Sequence, residues 1–94
     1  MTDGRAIRIL TIDDHPLVRD GICLVLSQED DLEIVAVAAS ATEAVDRFTE
    51  VRPDVTLMDL RLGGRMGGLD AIRDIIALAP AARIVVLTMY QGDE

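Results

Sequence analysis

The 94-residue sequence contains no lysine and no tryptophan, and only one phenylalanine, one tyrosine and one cysteine. With so few rings, any core must be built from aliphatic side chains, and half of the residues are hydrophobic. The lone Cys23 excludes an internal disulfide and suits a reducing compartment. No apolar run approaches the ~20 residues of a membrane span. The N-terminus lacks the apolar stretch and small-residue cleavage site of a secretory signal. Nine arginines face seventeen acidic residues, a net charge of −8. That balance argues against nonspecific binding to nucleic acid or to an anionic membrane. One cytoplasmic domain is the expectation. A chain of this length buries only about 60–65% of its unfolded surface, so its stability should be modest.

Four apolar, β-branched stretches read as strands: residues 6–12, Leu32 to Ala38, Val55 to Met58 and Ile84 to Leu87. Glu33 marks the second as an edge strand. Helical spacing separates them. Pro16 suits a first turn, and Val18, Ile22, Val25 and Leu26 then recur on one face, widened by Leu17, Cys23 and Leu24. The acidic turn Glu29-Asp30-Asp31 closes that helix. Ser40 with Glu43 is a capping-box pattern; Ala41, Ala44, Val45 and Phe48 form the apolar face behind it, Glu43 and Arg47 are spaced to pair, and Pro53 ends the helix. Leu69, Ile72, Ile75, Ile76 and Ala79 support a third helix, ended by Pro80. The order β-α-β-α-β-α-β, with apolar runs in place of strict alternation, implies a parallel sheet covered on both faces with right-handed crossovers.

Three of these strands end in polar groups: Asp13-Asp14, Asp59 and Thr88. Ligands of open parallel sheets sit at the carboxyl ends of the strands. Crowded carboxylates repel unless protonated or neutralised by a cation, and Mg²⁺, an oxygen-seeking ion that often partners phosphate, fits. A carboxylate can also attack phosphorus to form an aspartyl-phosphate, with the metal offsetting phosphoryl charge and the Thr88 hydroxyl donating to a phosphoryl oxygen.

The segments Ile12-Asp13-Asp14-His15-Pro16-Leu17-Val18-Arg19, Asp59-Leu60-Arg61-Leu62 with its glycine loop, and Leu87-Thr88 stand in order and at suitable spacing. Together they resemble the receiver domain of two-component response regulators, most of all the branch that carries a LuxR/NarL-type DNA-binding domain, over essentially the whole chain. The resemblance implies a flavodoxin-like (CheY-like) fold, of which residues 1–94 supply four strands in the order 2-1-3-4. It implies that Asp59 accepts a phosphoryl group from a sensor histidine kinase. Asp14 would be the direct acidic Mg²⁺ ligand, Asp13 an acid acting largely through metal-bound water, the main-chain carbonyl of Arg61 a further ligand, and Thr88 the switch hydroxyl.

The sequence also departs from the family pattern. The family's fifth strand, which ends in a lysine, its last two helices and its C-terminal DNA-binding domain have no counterpart here, so a truncated receiver domain is the reading. An exposed fourth-strand edge and a partly bare first helix would then favour a dimer or higher homo-oligomer. Gly63 and Gly67 replace the proline and the acidic residue common in the family, which predicts a looser loop from Leu62 to Gly68. Other readings concern single residues. Asp13-Asp14 alone reads equally as a plain helix cap and solvated turn; His15 invites a catalytic or metal role but reads as a structural or exposed turn residue, and Cys23 as a small core residue. Met89 and Tyr90 are placed to influence kinase choice. The glycine run lacks the lysine of a nucleotide-binding loop. Two competing functions are a Mg²⁺-dependent phosphohydrolase with an aspartyl nucleophile, which would need a further acid and a cap, and a pseudo-receiver whose acidic site is idle. Turnover of a separate substrate is not expected, nor is direct nucleic-acid or membrane binding by this segment.

Overall fold

Ile, Val and Leu in short runs pack well on a pleated surface, and they form four strands here. A computed structural model describes residues 5–64 and 67–87. In chain order the elements are β1 (Ile7–Ile12), α1 (Pro16–Ser27), β2 (Leu32–Ala38), α2 (Ala41–Val51), β3 (Val55–Asp59), a short 3-10 turn (Leu62–Gly64), α3 (Gly67–Leu78) and β4 (Ile84–Leu87). The strands pair in parallel in the order β2-β1-β3-β4. This is the flavodoxin-like order expected from the sequence, with β2 at an edge. The register of β1 against β2 shifts between Ile9 and Leu10, where the partners pass from Ile34 to Ala36.

The two faces of the sheet are covered unequally. Leu10 and Ile12 of β1 and Met58 of β3 join Ala44 and Phe48 of α2 and Ala71 and Ile75 of α3 in one buried cluster. Among the described residues, the opposite face carries α1 alone. No residue of α1 is fully buried, and Leu17 and Val25 are 87% and 63% exposed. Beside this helix lies an open apolar groove of about 600 Å³, lined by Val18, Ile22, Val25 and Leu26 of α1 and by Leu57 and Leu87 of the sheet. Cys23 is half-buried rather than a core residue, because its helix has no second layer above it among the described residues.

Local chemistry explains the ends of α2. The Ser40 hydroxyl accepts from the Glu43 amide at 3.1 Å, and the Glu43 carboxylate accepts from the Ala39 amide at 2.8 Å. Glu43 is thereby committed to the cap and does not pair with Arg47, which binds Glu50 instead. At the other end Arg52 takes a left-handed conformation, φ 45°. Its carbonyl accepts from the Arg8 guanidinium at 2.9 Å, and its own guanidinium lies 5.4 Å from the centre of the Phe48 ring, contacts that offset the strain.

The segment between β3 and α3 is tied down at both described ends. Leu62 is buried in the main cluster. Gly63 adopts φ 73°, a region in which a side chain is strained. The Gly68 amide donates to the Leu60 carbonyl at 3.3 Å. The remainder of the loop expected to be loose, Arg65 and Met66, lies outside the described residues.

Candidate metal and phosphoacceptor site

The carboxyl ends of β1 and β3 lie side by side because Ile12 is in register with Met58. The next residue of each chain is an aspartate or leads to one, so Asp13, Asp14 and Asp59 gather at one edge. Asp13 and Asp59 are buried, 5% and 6% exposed, and the side chain of Asp14 is 29% exposed. One ligand atom from each of Asp13, Asp14, His15 and Asp59 lies within 4.8 Å of all the others. Thr88, the fourth position expected at this edge, lies outside the described residues, as do Met89 and Tyr90.

Each carboxylate is held by the main chain. Asp13 Oδ1 accepts from the His15 amide at 2.8 Å, a local turn typical of aspartate. The Asp13 carbonyl accepts from Arg19 at 3.2 Å. Asp14 Oδ2 accepts from the Gly63 amide at 2.9 Å, which ties the β1 end to the loop after β3. Asp59 Oδ1 accepts from the Arg61 amide at 3.0 Å. Arg61 therefore stands next to the acceptor in space as well as in sequence.

The sequence reading left His15 outside the site, and the structure brings it in. Its Nδ1 lies 3.0 Å from Asp13 Oδ1, 3.1 Å from Asp14 Oδ1 and 3.6 Å from Asp59 Oδ2. The hydrogen bond to Asp13 and the charge of Asp14 hold the imidazole pKa above its ordinary value of 6.5. The available signal was its position directly after two aspartates; the side-chain direction, however, is set by the turn that Asp13 makes.

Three carboxylates in so small a volume constitute an oxygen-rich pocket for a hard cation. A second observation supports the fit. Asp14 Oδ1 is cut off from solvent yet accepts no hydrogen bond, since Nδ1 of His15 carries at most one hydrogen and Asp13 lies nearer. A buried, unsatisfied carboxylate oxygen is costly unless a cation or donor meets it.

A sequence profile of the response regulator receiver domain matches residues 9–94. The chain belongs to this family. The receiver is 40% identical over 87 residues to the response regulator GacA of Pseudomonas viridiflava, covering 93% of this chain and 40% of that protein. It is 39% identical over 88 residues to the oxygen regulatory protein NreC of Staphylococcus aureus, covering 94% of this chain and 41% of that one. A LuxR-family two-component response regulator from Aurantimonas sp. superposes with a TM-score of 0.84 at 42% identity, over 93% of this chain and 61% of that chain. The receiver thus spans about 40% of the length of the curated relatives it matches. Receiver domains are signalling domains that bind Mg²⁺ at an acidic pocket and interact with histidine kinases. Among the described residues, no helix is long and apolar enough to cross a membrane.

Proposed function

We propose that this chain is a phosphoacceptor module in which Asp59 takes a phosphoryl group from a sensor histidine kinase. The observation that carries the reading is the convergence of Asp13, Asp14 and Asp59 on one small pocket at the carboxyl edge of the sheet. An Asp59 carboxylate oxygen attacks phosphorus, the bond from phosphorus to the kinase imidazole nitrogen breaks, and its electron pair stays on that nitrogen. Asp13, Asp14, Asp59 and the main-chain carbonyl of Arg61 would hold Mg²⁺. When bound, the ion supplies positive charge to the transferring phosphoryl oxygens.

The chain's own groups orient the acceptor. The Arg61 amide fixes one oxygen of Asp59, and the Gly63 amide holds Asp14 beside it. Thr88 is the switch hydroxyl in this reading. The new charge on Asp59 biases the β4 side of the sheet between two arrangements. No turnover of a separate substrate is expected. In the full-length cytoplasmic protein, phosphorylation controls a C-terminal DNA-binding domain and association between copies. For the 94-residue chain by itself, association would use the outer edge of β4 or the bare face of α1.

Beryllofluoride, a mimic of the phosphoryl group, tests the reading. Titrated with Mg²⁺ into the ¹⁵N-labelled chain, it should shift amide resonances around Asp13, Asp14, Asp59 and Arg61, and leave an Asp59→Asn chain unmoved. Identical spectra for the two proteins would overturn phosphoacceptor competence.

A further inference from the structure

A site for Mg²⁺ alone needs only oxygen donors, yet a nitrogen stands among the carboxylates here. The separations of that nitrogen from its neighbours fall within the range spanned by ligands on one ion. With bonds of about 2.1 Å, adjacent ligands of an octahedral ion lie about 3.0 Å apart and opposite ones about 4.2 Å. His15 Nδ1 is 3.0 and 3.1 Å from Asp13 and Asp14 oxygens and 3.6 Å from an Asp59 oxygen.

The imidazole is delivered there by the backbone. The His15 amide donates to Asp13, and His15 is extended, φ −104° and ψ 105°, ahead of Pro16, as the residue before a proline prefers. The ring is 64% exposed, which leaves room for Nε2 to keep its hydrogen and for water to complete a coordination shell. Imidazole suits first-row transition metals of the Ni²⁺ and Zn²⁺ kind, whereas carboxylate and water suit Mg²⁺.

We propose that His15 Nδ1 is a metal ligand of this pocket, so that the site takes transition-metal dications through three carboxylates and one imidazole and favours them over Mg²⁺ by more than an all-oxygen site would. The inference rests on the reading of the pocket as a divalent-cation site.

The test uses the full 94-residue chain carrying Cys23→Ser, so that the only thiol takes no metal. Zn²⁺ and Mg²⁺ affinities are measured by calorimetry for this chain, for His15→Ala and for Asp14→Asn. The ring nitrogens of the single histidine are followed by long-range ¹H–¹⁵N NMR. Outer-shell partners of metal ligands are worth 10–100-fold in affinity, so losing a direct ligand should weaken Zn²⁺ about tenfold or more. His15→Ala should change Mg²⁺ affinity less than about twofold, as expected for an ion that binds imidazole poorly. Zn²⁺ should move Nδ1 to its metal-bound position while Nε2 keeps its hydrogen, a readout that does not depend on any variant folding. An unmoved Nδ1, or equal effects of His15→Ala on both ions, overturns the inference while Mg²⁺ binding that depends on Asp14 leaves the phosphoacceptor reading standing. Binding of neither ion by the unsubstituted pocket overturns both.

Discussion

His15 places its imidazole among three carboxylates while most of the ring faces water. Its hydrogen bond to Asp13 and the charge of Asp14 favour the protonated ring. Followed by NMR in the absence of metal, the only histidine should titrate above 6.5, and Asp13→Asn should bring it back toward that value. The folded-state pKa is raised, so the contact's contribution to stability is fully present below the unfolded value and fades as pH rises through the folded one. Accordingly, the gap in urea midpoint between wild type and His15→Gln should be wider at about pH 6 than at about pH 8.5. The convergence of Asp13, Asp14 and Asp59 was legible in the sequence because each closes or follows a strand of a parallel sheet, and topology brings such ends together. His15 was not, because its direction depends on a two-residue turn and on how closely β3 approaches β1.

At the level of elements, the tightest junction is where α3 starts. A Cβ added at Gly68 would lie 2.5 Å from the Asp59 carbonyl oxygen, 2.6 Å from the Leu60 carbonyl oxygen and 2.8 Å from the Leu60 Cα. All three are backbone atoms, so the helix or the Asp59-Leu60 segment would have to move. Gly68→Ala should cost about 1–3 kcal/mol in urea unfolding, the usual range for overpacking, and should shift the Asp59 amide resonance. The seven regular elements were readable from apolar runs, and the Ser40-Glu43 cap from its spacing. The pairing of Arg47 was misread, since local spacing does not say whether a cap has already claimed Glu43. The register shift at Ile9 and Leu10 had no counterpart in the residue pattern, which is equally apolar on either side of it. The width of the apolar stripe on α1 was readable, and the structure leaves that stripe without a covering layer among the described residues.

At the scale of the whole molecule, the two faces of the sheet are covered unequally among the described residues, and we propose that this drives association of the 94-residue chain. Leu17, Leu24 and Val25 are exposed on α1, and Val85 and Val86 on β4. The unpaired edge of a strand and a contiguous apolar surface both invite association. Sedimentation should show a mass that rises with concentration for the 94-residue chain. Val25→Arg combined with Val86→Arg should return it to the monomer mass. A monomer at every concentration for the unsubstituted chain would remove the self-association reading and leave the phosphoacceptor reading intact.

The position of β1 between two partners carries a consequence for the order in which the domain comes apart. Its amides are locked from both sides, by β2 and by β3, whereas β4 is held through β3 alone among the described strands. Deuterium should therefore enter Ile84–Leu87 early and Ile9–Ile12 only at the rate of global unfolding. The acidic pocket, seated on the two central described strands, would outlast the β4 side of the sheet.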